Sequence, residues 1–291
     1  TITQNALSGS RYGKGRYGYG GVAGLGWGAK SSYRVYAKRM ELYYLEYPKG
    51  GNLEVTIDGG EPIPFSTRGE KEIDRYKVFE AEGKGEHTFV VRSRGGGNVH
   101  AYGVTLENDG PGVVYDCIGL IGTRASRVLN FDEAHLTAQV KHRNPNLQII
   151  MFGGNELVDK RMNLSVYEKK YAEVIARLRA GAPNASCMMM TPVDHGERHR
   201  GRVRTVPLLK KMIPIQQRIA EQAGCAFFNT FEAMGGEGSI GRWYDAKPRL
   251  AWGDFAHLTR AGDRVLGAMV YKALMKGFAD WLEAKKTEET P

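Results

Sequence analysis

The 291-residue sequence has only three cysteines, and this scarcity excludes a small domain held together by a disulfide framework. It contains no run of 18 apolar residues, so a helix that spans a membrane is excluded as well. The 38 glycines follow no fixed period, which excludes a collagen-like chain. What remains is ordinary globular composition, with 42% hydrophobic and 25% charged residues, in a chain long enough for two domains.

The formal net charge is +9, and the excess lies mostly in the second part of the chain. Residues 1–110 hold 15 basic and 13 acidic residues, whereas residues 111–291 hold 26 and 19. The densest basic stretch runs from Arg198 to Lys211, and its simplest interpretation is a solvated loop. A basic surface also attracts anionic polymers such as nucleic acid or a cell-wall glycan. No nucleic-acid-binding motif accompanies the charge, so we expect no nucleic-acid partner.

Residues 1–110 have the pattern of an all-β domain. Apolar residues alternate with polar ones, as in residues 53–57, and the turn Asp58-Gly59-Gly60 follows directly. No segment here has a helical period. The pattern predicts a β-sandwich or jelly roll of the carbohydrate-binding kind. Tyr17, Tyr19 and Trp27 fit either the core of this domain or a surface that stacks on sugar rings, and the core is the favoured interpretation.

Residues 111–291 alternate between strands and helices, the pattern of a parallel α/β sheet. A capping box at residues 165–168 is expected to begin one of the helices. Ligands of such sheets bind at the carboxyl ends of the strands, so the turns that follow the strands are the candidate site. The predicted strands are 113–115, 147–152, 187–191 and 225–229, and the predicted helices are 131–142, 165–180, 213–223 and one from about 259.

Three of the turns in this half carry a coherent chemical set, namely residues 119–123, 153–156 and 254–257. An aspartate three residues before a histidine can accept the imidazole N–H and leave the other ring nitrogen free as a general base. A glycine N–H and an asparagine amide can donate hydrogen bonds to one oxyanion. Each feature alone is common, but their order and their placement after strands are more specific.

On these residues the sequence resembles the SGNH hydrolase (GDSL esterase/lipase) superfamily over about residues 112–285. The resemblance implies a flavodoxin-like three-layer α/β/α domain at 111–291, next to the β-domain at 1–110. It implies His257 as the base, Asp254 as its orienting acid, and Gly122 and Asn155 as oxyanion donors, with no metal and no cofactor. Glu156 stands where the family usually has Asp. The all-β partner domain also resembles the jelly roll of peptidoglycan and polysaccharide O-acetylesterases.

The family's nucleophile block, Gly-Asp-Ser, does not occur in the chain. Ser126 is near Gly122 but lacks that context. A flavodoxin-like sheet has the strand order 2-1-3-4-5, so without strand 1 its two neighbours would each lose a partner. Buried unpaired backbone groups cost about 1–3 kcal/mol each. Because the sequence begins at Thr1 and not at Met, we expect an upstream segment or a separate chain to supply strand 1 and the serine.

The leading hypothesis is a serine esterase that removes an acyl group, with acetyl expected, from a carbohydrate or cell-wall polymer. Its partners would be the acylated glycan, or another small ester, and the segment with the nucleophile. Location outside the cytoplasm, secreted or periplasmic, follows from that substrate. The alternative is a non-catalytic glycan-binding protein with a relic hydrolase domain. A lipid-directed esterase is a third hypothesis, and it would require an apolar patch around His257.

Other residues leave two interpretations each. Asp194-His195, with His199, suggests a metal site or a second acid–base pair, but no third ligand has suitable spacing and a polar loop is favoured. Cys187 and Cys225 are expected to be buried thiols in preference to a disulfide. Residues 231–242 fit a wall of the substrate site or a mobile connection equally well.

Overall fold

The computed structural model describes residues 2–5, 15–119 and 122–288. Contacts divide the chain into two compact units, one formed by residues 1–144 with 177–183 and the other by residues 145–176 with 184–291. The domain boundary near residue 110 stays a prediction. Within the part of the chain that the structure describes, every helix is too short or too polar to cross a membrane.

The first unit is built on two antiparallel β-sheets, as the alternation in its sequence predicts. One sheet has the strand order β1-β2-β9-β4-β7 and the other has the order β3-β8-β5-β6. Their strands are β1 Ile2–Asn5, β2 Val22–Gly26, β3 Lys30–Val35, β4 Arg39–Glu46, β5 Asn52–Ile57, β6 Ile63–Ser66, β7 Ile73–Glu80, β8 His87–Gly95 and β9 Val99–Glu107.

The core of this unit draws on both sheets. Met40 and Leu42 from β4 pack in one buried cluster with Val55 from β5 and Phe89 from β8. These residues alternate along their strands because successive side chains point to opposite faces of a sheet. Tyr17 is fully buried, so the favoured core interpretation is confirmed for it. Trp27 is 72% exposed, and the core interpretation is wrong for that residue.

A helix, α1 (Glu133–Arg143), packs against the five-stranded sheet. The His135 Nδ1 lies 2.7 Å from a carboxylate oxygen of Asp74 on β7, and its Nε2 lies 2.6 Å from the Tyr17 carbonyl oxygen. The Tyr17 carbonyl oxygen only accepts hydrogen bonds, so Nε2 donates to it, and the other ring nitrogen is held by the Asp74 carboxylate. His142 stacks on Tyr76 of the same sheet. Buried polar contacts therefore hold α1 in place.

The second unit is built around a parallel sheet of three strands in the order β10-β11-β14. A β-hairpin, β12–β13, follows the middle strand, and helices connect the strands. Met188, Met189 and Met190 of the middle strand are all buried. The elements are β10 Leu147–Met151, α2 Leu164–Ala180, β11 Ser186–Met190, β12 Gly196–His199, β13 Arg202–Thr205, α3 Pro207–Gln222, β14 Ala226–Phe228, α4 Thr230–Ala233, α5 Ser239–Asp245 and α6 Arg260–Glu288.

Two local predictions are wrong. The segment 113–115, predicted to be a strand, has no strand partner, and its side chains are exposed. Apolar residues form a strand only when another strand satisfies their backbone groups. Helix α2 begins at Leu164, where the Asn163 side chain accepts a hydrogen bond from the Val166 N–H, so the predicted capping box at 165–168 does not begin it.

Cys187 and Cys225 form a disulfide bond, so the preference for free thiols is wrong. The parallel register explains the pairing. Met188 is opposite Ala226 in the sheet, so the residues that precede them, Cys187 and Cys225, lie next to each other. The Cα atoms of the cysteines lie 4.7 Å apart, within the usual range for a disulfide. The bond joins β11 to β14 at their amino ends.

We expect the double substitution Cys187→Ala with Cys225→Ala to lower the free energy of unfolding by about 4 kcal/mol, the chain-entropy value for a loop of 38 residues. Denaturant unfolding of the 291-residue chain measures this. The matched control is Cys117→Ala, which removes the exposed free cysteine and should leave stability unchanged. Equal stability of the double variant and the parent chain would contradict the prediction.

Candidate active site

The carboxyl ends of the three parallel strands bring the candidate loops to one edge of the sheet. Met151 of β10 is opposite Met190 of β11, which in turn is opposite Phe228 of β14. The segments 152–156, 191–195 and 229–230 therefore leave the sheet side by side. This is the edge at which parallel α/β sheets bind ligands.

The turn that contains Asp254 and His257 is closed by its own backbone. Ala251 and Leu258 pair as an isolated bridge, and the Trp252 N–H donates to the His257 carbonyl oxygen at 2.9 Å. Within the turn, His257 Nδ1 lies 2.7 Å from Asp254 Oδ2. The other carboxylate oxygen accepts from the backbone N–H of Ala256 at 3.0 Å and of His257 at 3.1 Å. The carboxylate is therefore fixed in position to orient the imidazole.

These hydrogen bonds keep Asp254 ionised. Desolvation raises the pKa of this carboxyl, but the hydrogen bonds from the His257 side chain and from the Ala256 and His257 backbones outweigh it, and the net pKa is lowered. An ionised Asp254 accepts the Nδ1 proton and leaves His257 Nε2 as the basic nitrogen. The His257 side chain is 79% exposed, so Nε2 is open to a nucleophile brought against it.

Phe255, inside the same turn, has a left-handed backbone with φ of 55°, a conformation that bulky residues rarely adopt. It is held there from several sides. Its carbonyl oxygen accepts from the Gly196 N–H of β12 at 2.8 Å, and its ring packs edge-on against Tyr244 at a centroid distance of 5.1 Å. Only 5% of the residue is exposed. The hairpin and α5 thus fix the turn that carries the Asp254–His257 pair.

The loop after β10 requires glycine. Gly153 has a φ of 127°, and a Cβ atom there would lie 2.6 Å from Pro192 Cγ and 2.9 Å from Gln216 Nε2. The Gln216 amide also donates to the Phe152 carbonyl oxygen at 3.0 Å, which ties the end of β10 to α3. The chain then makes a short 3-10 turn at Gly154–Glu156, in which Asn155 is exposed while Glu156 is buried.

His195, which follows β11, lies beside Gly154 of the Asn155 loop, and the next residue, Gly196, is hydrogen-bonded to the Asp254–His257 turn at the Phe255 carbonyl oxygen. The His195 Nδ1 donates to the Val193 carbonyl oxygen at 2.9 Å, and a Cβ on Gly154 would lie 3.4 Å from its Nε2. Burial is the largest cause that lowers the pKa of His195, and the nearby His257 lowers it further. The imidazole is therefore a neutral wall beside both candidate loops. The sequence pattern favours a polar loop for Asp194 and His195. The position of His195 directly after a strand is the signal that could have identified it as a residue of the candidate site.

Asp194 is hydrogen-bonded to α5. Its Oδ2 accepts from the Ser239 hydroxyl at 3.2 Å and from the Ile240 N–H at 3.0 Å, and the residue is fully buried. It therefore anchors α5. Nowhere in residues 2–5, 15–119 and 122–288 do three His, Cys, Asp or Glu side chains gather as a metal site would require.

Residues 231–242 are largely ordered in α4 and α5. Phe231 and Ile240 are buried, so a mobile connection is the wrong interpretation of this stretch. Part of it, including Gly238 and Arg242, lines a groove instead.

A sequence model described as "GDSL-like Lipase/Acylhydrolase family" matches residues 81–265, more than half of the chain. The chain belongs to the GDSL-like lipase/acylhydrolase family. This membership confirms the resemblance to SGNH hydrolases and makes the protein an esterase of that type. A search of curated proteins found no significant match.

Solved structures agree with the family's fold. A peptidoglycan O-acetylesterase superposes with a TM-score of 0.67 at 16% identity, covering 92% of this chain and 74% of that one. A family two carbohydrate esterase from Clostridium thermocellum, in complex with cellohexaose, has a TM-score of 0.34 at 13% identity, covering 92% of this chain and 98% of that one. At these identities the first likeness establishes the fold alone, and the second supports no further conclusion.

The predicted site residues differ in what surrounds them. Asn155, Asp254 and His257 belong to the second unit, and the segment His195–Gly196 contacts both of their loops, at Gly154 and at Phe255. Gly122 belongs to the first unit, is exposed, and has a φ of 74°; its neighbours 120 and 121 lie outside the described residues. The roles of these four predicted residues in the GDSL-like protein stay predictions.

We expect His195 to titrate below the ordinary histidine pKa of about 6.5, because burial disfavours its charged form. Nitrogen-15 NMR of the imidazoles, with the His195→Gln variant for assignment, measures this. As the pH drops below about 6.5, His195 is protonated in the unfolded chain before it is protonated in the folded protein, so the free energy of unfolding should fall. The His195→Gln variant has no such group, and its free energy of unfolding should fall less over the same pH range. A His195 pKa at or above 6.5 would contradict the prediction.

Proposed function

We propose that the protein is a serine esterase that removes an acyl group, with acetyl expected, from a carbohydrate or cell-wall polymer. The observation that carries the proposal is the accessible Asp254–His257 pair, whose turn is hydrogen-bonded to Gly196, next to His195 and the Asn155 loop at the carboxyl edge of the sheet. A fixed carboxylate, an imidazole with a free Nε2 and an amide donor are three parts of the Ser-His-Asp esterase mechanism.

In the proposed reaction, the serine hydroxyl attacks the ester carbonyl while His257 Nε2 takes its proton. Asn155 and the N–H of Gly122, with the N–H of the nucleophile itself, bind the oxyanion. As the C–O bond to the sugar breaks, His257 returns the proton to the departing alkoxide. A water molecule then hydrolyses the acyl-serine by the same proton path, releasing the carboxylic acid and the free serine.

The described serines of the second unit do not suit the role of nucleophile. Ser186 begins β11 at the amino edge of the sheet, and Ser239 is buried with its hydroxyl on Asp194. Ser165 lies in the first turn of α2. None of them follows a Gly-Asp dipeptide. We therefore infer that the nucleophile comes from a segment outside these 291 residues.

The second unit has an uncovered edge that such a segment would occupy. Among the described residues, β10 pairs only with β11, and the side chains on one of its faces, Leu147, Ile149 and Met151, are 41–43% exposed. An apolar edge strand of this kind is normally covered. In the flavodoxin-like order the missing neighbour is strand 1, the strand that ends at the nucleophile.

Helix α6 presents a second uncovered surface. Tyr271, Met275, Phe278 and Leu282 follow one another at intervals of four, three and four residues, which places them on one face of the helix, and they are 39–63% exposed. An apolar stripe of this length suits a packed helix. A segment made of a strand followed by a helix could cover both surfaces, with the strand beside β10 and the helix on the apolar stripe of α6.

Three observations support a polymer outside the cytoplasm as the substrate. A peptidoglycan O-acetylesterase shares the fold, and the Cys187–Cys225 disulfide suits an oxidising compartment, so we propose that the protein is secreted or periplasmic. The first unit also presents a depression of about 450 Å³ with Trp27, Lys49 and Asn98 among its lining residues. An exposed indole beside hydrogen-bonding groups can stack on a sugar ring.

In protein that includes the Gly-Asp-Ser segment, we expect His257→Ala and Asp254→Asn each to lower kcat for p-nitrophenyl acetate roughly 10³–10⁴-fold, since the first lacks the base and the second misorients it. Initial hydrolysis rates measure this. The matched control is His199→Ala, which removes an exposed histidine of β12.

Equal rates in the parent and the His257→Ala variant would overturn the catalytic assignment. Full activity in the 291-residue chain alone would instead place the nucleophile within it. Binding of glycan without any hydrolysis, in protein with the segment, would favour the alternative of a non-catalytic glycan-binding protein.

We expect Trp27→Ala to weaken binding of the chain to insoluble polysaccharide roughly tenfold, the scale on which an aromatic anchor acts. Pull-down isotherms with peptidoglycan sacculi and with cellulose measure the change. Tyr36→Ala is the matched control, because Tyr36 is equally exposed in the same unit but does not line the depression. Identical isotherms for Trp27→Ala and the parent would contradict this role.

A further inference from the structure

A groove of about 600 Å³ lies between the β12–β13 hairpin and α5 of the second unit. Its volume is within the range of about 300–1,000 Å³ that is usual for ligand pockets. Four arginines line it: Arg198, Arg202, Arg204 and Arg242. The stretch that the sequence alone describes as a solvated basic loop is therefore folded around a concave surface.

Among the described residues, the positive charge that lines the groove exceeds the negative charge. No carboxylate among the described residues forms an ion pair with Arg198, Arg202 or Arg204. Two acidic residues also line the groove, but Glu237 is paired with Lys210 at 3.0 Å, which leaves only Asp245 without such a partner. Guanidinium groups held near one another repel, and an anion between them removes that repulsion.

One wall of the groove is held in shape by hydrogen bonds. The Arg242 guanidinium donates to the carbonyl oxygens of Gly235 at 2.7 Å and of Glu237 at 3.0 Å. The opposite wall is the hairpin, where Val203 packs so closely against α5 that a Cβ on Gly241 would lie 2.9 Å from it. A site whose walls are fixed in this way binds a ligand with a smaller loss of conformational entropy than a flexible loop would.

The groove adjoins the Asp254–His257 turn. Phe255, within that turn, is one of its lining residues, and the Arg198 guanidinium carbon lies 5.0 Å from the centre of the Phe255 ring. The Gly196 N–H of the same hairpin donates to the Phe255 carbonyl oxygen. A ligand group in the groove would thus be held next to the position at which the proposed ester reacts.

The geometry points to a binding site for a carboxylate of the glycan substrate, close to the acyl group that is removed. Arginine matches a carboxylate with two parallel hydrogen bonds, and several arginines around one groove select an acidic ligand over a neutral one. The inference rests on the proposed function and narrows its substrate to glycans that carry carboxylates. Two sources share this chemistry, namely the peptide carboxylates of peptidoglycan and the uronates of acidic polysaccharides.

The test is a titration of the 291-residue chain by calorimetry, which needs no nucleophile. The probes are a disaccharide-tetrapeptide from peptidoglycan, tetragalacturonate, and neutral chitotetraose. We expect at least one acidic probe to bind about tenfold or more tightly than chitotetraose, with an advantage that shrinks between 50 and 500 mM salt, as screening requires. The acidic probe that binds more tightly identifies the source of the carboxylate.

The groove variant Arg202→Gln with Arg204→Gln should lose this preference and retain its affinity for chitotetraose. The matched control, Arg264→Gln with Lys272→Gln, removes the same charge from exposed positions on α6 and should keep the preference. Equal binding of all three probes, or equal loss in both double variants, would overturn the inference. If esterase activity fails while the preference holds, the proposed function falls and the site stands. If neutral acetylated glycans are hydrolysed while the preference for acidic probes is absent, the carboxylate site is refuted and the proposed esterase function is retained.

Discussion

The parallel pairing of β10, β11 and β14 is the constraint on which the second unit depends. Its register brings the loops after the strands to one edge, and it brings Cys187 opposite Cys225 at the other. Gly154, which precedes Asn155, and His195 lie beside each other because their strands end at the same level, although about forty residues of chain separate them. The site is thus a consequence of sheet geometry, and the disulfide secures the strands that set it.

The same sheet leaves one edge of β10 without a neighbouring strand in the described chain. Parallel sheets normally have both faces covered, and β10, an edge strand, has one apolar face that is exposed in the described chain. The apolar segment 113–115, which the sequence pattern predicts as a strand, is exposed for the same physical reason, because nothing pairs with it. One added strand, as we propose, would cover the open edge of β10 and would place a nucleophile at the edge of the sheet where the Asn155 loop begins.

In the second unit, the groups proposed to transfer a proton are distinct from the groups that carry the positive charge. A single carboxylate, Asp254, fixes the proton on one nitrogen of His257, and burial keeps His195 neutral beside it. Positive charge lies on the neighbouring hairpin, where the Arg198 guanidinium is over the ring of Phe255 in the Asp254–His257 turn. Proton transfer and recognition of an acidic substrate would therefore use adjacent but separate groups, joined through the backbone of one strained residue.

The sequence by itself determined the two kinds of architecture, the strands and helices with clear periodicity, and the Asp254–His257 pair, because these depend on local patterns and short spacings. Tertiary structure decided the rest. The disulfide follows from strand register, the exposure of Trp27 from the path of one turn, and the burial of His195 from the packing of loops remote in sequence. It also decided that a basic stretch becomes a groove, since only folding brings Arg198 and Arg242 to opposite walls of one cavity. Periodicity records which face of an element is buried, and it carries no information on which other element covers that face.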